Sequence, residues 1–432
     1  MHPDTSDVEP AATANTATAG MVDCLGIPAH LQSFEPTLKA AFDRLEAVQP
    51  DRYSRTRNAL DGAVTGLSPY LTHGVLGMQA AANFVHRQHP LSFEDKLVSE
   101  FAWREFFQHV WATAANHGDA ILDDMHGSLP SAGVYSPALP QDIREARTGV
   151  PAIDAAVRTL YATGYLHNHA RMWLASYVVH LRKVHWRAGA DWLYGHLLDG
   201  DLASNHLSWQ WVAGTFSSKP YLFNADNVLK FAPAAARDAW SSPRTVIDQS
   251  YEALDVMARS SRAAGPERGQ HAGTAEPALH GAVLASFMPL AQAERAQAAI
   301  KSIANKPDKS VELVHPWSLS PREGDAMRLG VIHLPAHAAW PWSERRWRFV
   351  LGAMSEVTDA IWIGDLHQLA LPGARDVSAQ ATLFPGYREA LAGVARLTPQ
   401  PRLFPEPPMA CRSFSKFYGR VQRDVGQFAD LL

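Results

Sequence analysis

The chain has 432 residues, more than one typical hydrophobic core holds, which predicts two domains. Lys and Arg (39) nearly balance Asp and Glu (43), so the chain lacks the basic character of a protein that coats nucleic acid; any DNA contact needs a local basic face. Two cysteines, Cys24 and Cys411, exclude a disulfide framework and a four-Cys metal site and fit a reducing, cytoplasmic compartment. Residues 1–25 carry Asp and Glu where a signal peptide needs basic charge and have no adequate apolar run, so they read as a disordered leader. No run is long and apolar enough for a membrane span. From Leu38, Phe42 and Leu45 onward the spacing is helical to about residue 250, and 26–257 are expected to form a mainly helical domain. Residues 258–280, rich in Gly, Ala, Pro and charge, read as a linker. In 281–432 short apolar runs (VELVH at 311, LGVIHL at 329, AIWIGD at 360) alternate with helical patterns, which predicts a small α/β domain.

Four constellations in the helical part carry possible chemistry. TGLSPYL, 65–71, puts Ser68 at a helix N-cap with Pro69 at N1, and with Thr65 offers hydroxyls suited to a phosphate; an ordinary capped helix looks the same. SEFAWREFFQHVW, 99–111, sets Glu100 and Arg104 one turn apart, with Trp103, Phe107 and Trp111 on another face, as in many core helices. GYLHNHARMWLASYVVH, from 164, gathers His167, Asn168, His169 and Arg171 before an apolar run from Met172. No third ligand stands at zincin spacing, so no metal is expected there. LLDGDLASNHLSWQW, from 197, sets Asp199 and Asp201 ahead of Asn205, Trp209 and Trp211. Ala203 and Ser204 reject an EF-hand, which leaves a polar turn opening a helix, suited either to a heterocycle or to a core.

In this order and spacing the four motifs, with GVPAIDAAVRTL before the third, resemble the FAD domain of the photolyase/cryptochrome family over about residues 50–232. The resemblance implies an all-helical domain with FAD in a central cavity. It implies that Thr65 and Ser68 grip the phosphates, with Val64 lacking the hydroxyl usual there, and that Tyr53 and Arg104 line the cofactor. By the same match, Arg171 and Asp199 pack on the ring system, Asp201 stands beside them, and Asn205 faces flavin N5, where a side chain tunes the redox state. Glu100, Trp103, Asn168 and Met172 match the substrate residues of cyclobutane-dimer photolyases; six-four photolyases resemble one another in having His at the last two positions. Damaged DNA is then the expected partner, its dimer extruded into the pocket and stacked on Trp103. Trp209 and Trp186 match the first two tryptophans of the family's electron chain, and Tyr135 is the one aromatic near the expected third.

The chain also departs from the family. Too few residues precede the FAD domain for the usual N-terminal antenna domain, and the C-terminal α/β region, whose SERRWRFVLGAM helix is similar to one of an antenna domain, could be a relocated, degenerate antenna. GVIHLPAHAAWPW has no phosphate-binding glycine pattern, so no nucleotide is expected in it. Arg57 matches a phosphate-contacting arginine and His169 replaces another, while Arg182, Lys183, Arg187 and Lys219 could rebuild a positive face or simply solvate a helix. The rival to repair is a cryptochrome-like photoreceptor signalling to a protein partner through the C-terminal domain. A flavoprotein keeping the fold without light function is the third reading.

Overall fold

The computed structural model describes residues 24–114, 119–127, 130–266, 273–288, 290–305 and 309–432. The expected leader thus falls mostly outside the described residues, but its end does not: Leu25 is buried, and Trp240 Nε1 donates to its carbonyl at 3.0 Å.

The chain is mainly helical, followed by a small parallel-sheet unit. The helical part runs α1 (Leu38–Glu46), α2 (Pro50–Thr56), α3 (Ser68–Thr72), α4 (Met78–Gln88), α5 (Lys96–Thr113), α6 (Pro151–Thr163), α7 (Asn168–Ser176), α8 (Trp186–His196), α9 (Leu202–Ala213), α10 (Ala225–Phe231) and α11 (Tyr251–Arg259). Among the described residues no helix is long and apolar enough to cross a membrane. At the centre lies α9, which is buried on nearly every side, as a helix apolar all round should be. Its buried polar groups are satisfied: Gln210 donates to the carbonyls of Ile121 and Asp123, and His206 pairs with Asp191. The helix stops at Gly214, whose φ of +84° an L side chain rarely adopts. It then leaves room for α5, α7 and α8 to pack around one end.

Beyond α11, β1 (Leu279–His280) pairs antiparallel with β4 (Trp342–Ser343). Between and after them lie β2 (Ser310–Val314), β3 (Met327–His333), β5 (Ala360–Gly364), β6 (Asp376–Gln380) and β7 (Arg396–Thr398). These form an all-parallel sheet in the order β5-β3-β2-β6-β7; α12 (Leu290–Asn305) leads into β2, α13 (Leu334–Ala339) and α14 (Glu344–Val357) lie between β3 and β5, and α15 (Tyr387–Val394) lies between β6 and β7. The chain builds outward from β2 to one edge, then returns to build the other, which makes a doubly wound sheet with its reversal between β2 and β6. The near-continuous burial of β3 is what a strand covered on both faces requires.

The two parts are tied together. The segment after β7 returns to the helical part, where α16 (Phe414–Val425) packs on α5. Glu105 of α5 accepts from the amides of Leu403 and Phe404 at 2.6 and 3.0 Å, and His109 Nε2 accepts from the amide of Cys411 at 2.8 Å. In the other direction His73 sets its ring nitrogens 2.6 Å from Pro316 O and 2.9 Å from Leu198 O.

Candidate functional site

A cavity of about 300 Å³ opens between α5, α7 and α9, closed on one side by α2 and α3. Helical spacing decides what faces it. Positions 100, 103 and 104 share one side of α5, positions 168, 171 and 172 one side of α7, and positions 205 and 209 one side of α9. Tyr53, Thr65, Ser68, Asp199 and Asp201 complete the wall, so every proposed site residue except Trp186 lines this one space.

Arg171 is fixed at both ends. Its Nη2 donates to both oxygens of Asp199 at 3.0 and 2.8 Å and its Nε to Leu166 O at 2.6 Å. Asp199 is buried, so the pair is a charge-assisted, geometrically determined unit rather than a surface ion pair. Asp201 caps α9, accepting from Ser204 N at 2.9 Å and Ser204 Oγ at 2.6 Å, and also accepts from Gln108 at 2.8 Å. Its carboxylate is therefore committed to structure. The Asn205 amide donates to Ala190 O at 2.8 Å, which leaves its carbonyl oxygen as the group for a ligand. Arg104 reaches Thr72 Oγ1 at 3.2 Å.

At the mouth, Glu100 keeps 42% of its side chain exposed and lies 3.6 Å from Arg57. Burial against the wall raises its carboxyl above the ordinary value, and Arg57 opposes this. Arg57 thus faces the cavity carboxylate. Asn168 Nδ2 lies 3.6 Å from the Met172 sulfur, one turn along α7.

The structure corrects several expectations. Ser68 is the first residue of α3, not its N-cap, and makes no capping bond; Leu67 precedes it. Arg182 and Lys183 build no positive face. The former is buried in a two-pronged pair with Asp142 at 2.7 and 3.0 Å, and the latter is buried donating to the carbonyls of Met257 and Ala258. Arg187 is engaged by Asp123 and Asp191, while the His169 ring packs at 4.4 Å against Phe231, tilted by 44°. Trp186 stands behind the cavity wall, its Nε1 donating to Asp124 at 2.6 Å. Trp209 packs its ring edge on Gly189, one turn along α8 from Trp186; a methyl group on Gly189 would sit 2.3 Å from that ring. Tyr135 follows Trp186 through His185, at centroid distances of 5.6 and 6.5 Å.

Two residues were missed. Phe414 of α16 stacks on Trp103 at 4.0 Å with a 4° interplanar angle, and Tyr418 stacks on Phe414 at 5.2 Å. Arg346 of α14 is fully buried, donates to Tyr194 O and Gly200 O at 2.7 and 2.6 Å, and lies between the rings of Trp342 and Tyr194. It therefore clamps the turn that carries Asp199 and Asp201. The signal for it was an arginine on the same face as the apolar stripe 347, 350, 354.

Hydroxyls, two arginines, a carboxylate and an amide carbonyl set against aromatic walls form a site for a flat, polar heterocycle with an anionic extension, the features of a flavin nucleotide. Residues 97–239 match the family model of the FAD binding domain of DNA photolyase. A deoxyribodipyrimidine photo-lyase of Synechococcus sp. is 35% identical over 218 residues, covering 47% of this chain and 44% of that protein. One from Thermus thermophilus is 37% identical over 190 residues, 44% of each. The cryptochrome of Synechocystis sp. superposes with a TM-score of 0.41 at 24% identity, covering 52% of this chain and 51% of that one. The chain spans under half the length of the curated relatives named here. Residues 97–239 thus form an FAD-binding domain of the DNA photolyase type, and FAD is the cofactor such a domain holds.

Proposed function

We propose that this chain splits cyclobutane pyrimidine dimers in DNA under blue light. The observation that carries the reading is the convergence of Glu100, Trp103, Asn168 and Met172 on the cavity that also holds the Arg171–Asp199 pair and Asn205. FAD supplies the electron that opens the dimer and recovers it, so no net oxidation accompanies repair. The chain's own residues supply everything else. Thr65, whose hydroxyl oxygen accepts from the Leu67 amide at 3.3 Å and whose O–H remains to donate, and Ser68 offer hydroxyls to the phosphates, and Arg171, held by Asp199, presents a fixed positive edge to the ring system. Asn205 offers an acceptor, which suits a flavin carrying a proton at N5. The dimer enters extruded from the duplex. One face of Trp103 stacks on it while Phe414 backs the other. Glu100 hydrogen-bonds one base through its carboxyl group, and Asn168 recognises the second base.

A second reading is a light receptor that signals to a protein partner. Arg346 favours it, because that one side chain links the Asp199–Asp201 turn to the C-terminal sheet unit. Illumination of chemically reduced protein with a dimer-containing oligonucleotide decides between them. Recovery of base absorbance is expected; no recovery together with no binding in the dark leaves the receptor reading.

A further inference from the structure

A second site lies at the carboxyl ends of β3 and β5, and none of its residues lines the flavin cavity. In the parallel register His333, the last residue of β3, is opposite Gly364, the last of β5. The chain leaving β5 then reads Asp365, Leu366, His367. Leu366 is fully buried, and Asp365 and His367 flank it. Ligand atoms of His333, Asp365 and His367 all lie within 4.8 Å of one another. The rings of His333 and His367 stand 5.9 Å apart at 82°, and His333 Nδ1 is 3.7 Å from an Asp365 oxygen.

We propose that His333, Asp365 and His367 bind a divalent transition-metal ion of the zinc class. Two imidazoles and one carboxylate make a borderline donor set, which selects zinc-like ions over calcium or magnesium. Bonds of about 2.1 Å need ligand atoms roughly 3–4 Å apart, so the cluster needs to contract by no more than about an ångström. The exposed His367 can supply that movement while the other parts stay fixed. The His333 backbone amide donates to Tyr387 Oη at 2.8 Å, and Tyr387 Oη lies 2.9 Å from Nε2 of the buried His337. Asp365 is oriented by the His367 amide at 3.1 Å. Metal on His333 Nδ1 replaces the bond that this nitrogen accepts from the Leu366 amide at 3.1 Å. Three protein ligands leave a fourth position for water, the arrangement of an open rather than a closed zinc site.

The test is calorimetric titration of the chelator-treated full chain, FAD bound, with Zn²⁺, alongside His367→Ala and Asp365→Asn. Both positions are partly or fully exposed at the surface, so both variants should fold. One equivalent bound at micromolar or tighter affinity, weakened at least about tenfold by either change with the flavin spectrum unaltered, is the expected result. Absence of stoichiometric binding in the unmodified chain overturns the site, as does binding that neither variant weakens. A rise in thermal midpoint with Zn²⁺ that His367→Ala abolishes is the second expected signature, because the ion would tie β5 to β3. A rise that persists in His367→Ala places the ion elsewhere and also overturns it.

Discussion

Two regions of this molecule have architectures that commonly hold a nucleotide cofactor, and they are lined differently. The helical cavity presents hydroxyls, an amide carbonyl and a locked arginine to about 300 Å³ of space. In the doubly wound sheet, ligands would bind outside the carboxyl ends of the strands where the strand order reverses. There, between β2 and β6, the chain's own side chains occupy part of the crevice, beside a cavity of about 290 Å³ that Glu312, Trp317, Ser318 and Gln380 share with Arg104 and Gln108 of α5. His315 lies across it, its Nε2 2.9 Å from Gln380 O and its Nδ1 accepting from the Trp317 amide at 3.2 Å, and Trp317 stacks on Phe384 at 4.1 Å. The same strand order that elsewhere makes a binding cleft serves here as a packing surface against the helical part, so the site and not the fold carries the function.

The comparison breaks most severely if the sheet unit is not what holds the open cavity in shape. Arg346→Met removes a fully buried cation and leaves the carbonyls of Tyr194 and Gly200 unpaired, a loss expected to cost about 3–5 kcal/mol. Because Gly200 sits between Asp199 and Asp201, FAD affinity should fall as well. Denaturant unfolding and flavin titration check both. Arg345→Met, at an exposed position next to it, should do neither. Wild-type FAD affinity in Arg346→Met would mean that the cavity is self-supporting.

A smaller change tests the other tether. Phe414→Ala should cost about 2 kcal/mol, less than a fully buried phenylalanine because the ring is partly exposed. Phe414 does not line the cavity, so its ring backs Trp103 instead of occupying the ligand space. Affinity for dimer-containing DNA should therefore drop, measured by fluorescence anisotropy, while FAD binding is retained. A gain in DNA affinity would instead identify Phe414 as a plug.

Much of the helical site was legible from sequence because it depends on local spacing. Asn168 and Met172, one turn apart, share a helix face as spacing alone allows, but spacing put Trp103 on another face from Glu100 and Arg104, whereas all three line the cavity; only the resemblance had grouped Glu100 with Trp103. Arg346 and Phe414 could be placed by neither. Their partners are 146 and 311 residues away in the chain, and such contacts are set by how two units dock. Charge readings failed for a related reason: Arg182 and Lys183 look like surface cations until Asp142 and the end of α11 bury them. The alternation of apolar runs predicted an α/β unit, but nothing local announced that Trp317 and Phe384 would stack beside its crevice.

The histidine that lies across the crevice has a pH signature. Burial holds His315 down at about 4 and, in the helical part, His180 at about 4 as well. Unfolded, both titrate near 6.5, so below that value the unfolded chain takes up protons that the folded chain refuses. Stability is thus complete above pH 6.5 and is lost as pH falls toward 4, at roughly 1.4 kcal/mol per pH unit for each histidine. His315→Gln keeps a donor and an acceptor without a titrating group, and thermal midpoints between pH 7 and 4.5 should fall less steeply in it.

The smallest expected effect on stability accompanies a complete change in behaviour. Trp209 lines the cavity and rests its ring edge on Gly189, so it touches both the cofactor space and the helix that begins with Trp186. Trp209→Phe keeps most of the ring volume and removes the oxidisable indole, which should cost under about 1.5 kcal/mol. FAD should remain bound. Photoreduction by external thiol should be abolished, while dimer repair by chemically reduced protein should survive, since repair starts with the electron already in place. Gly189→Ala separates the role of the indole from that of its position: the added methyl group would collide with the ring at 2.3 Å and force Trp209 away from α8. Photoreduction should then slow but persist, because the oxidisable ring is still present near the cavity. Full-rate photoreduction in Trp209→Phe, followed by flavin absorbance under illumination, would show that the electron enters elsewhere. In that event the aromatic column Trp103–Phe414–Tyr418 would be the next route to remove, and the comparison between an open helical site and a supporting C-terminal unit would have to give that unit an electronic role as well.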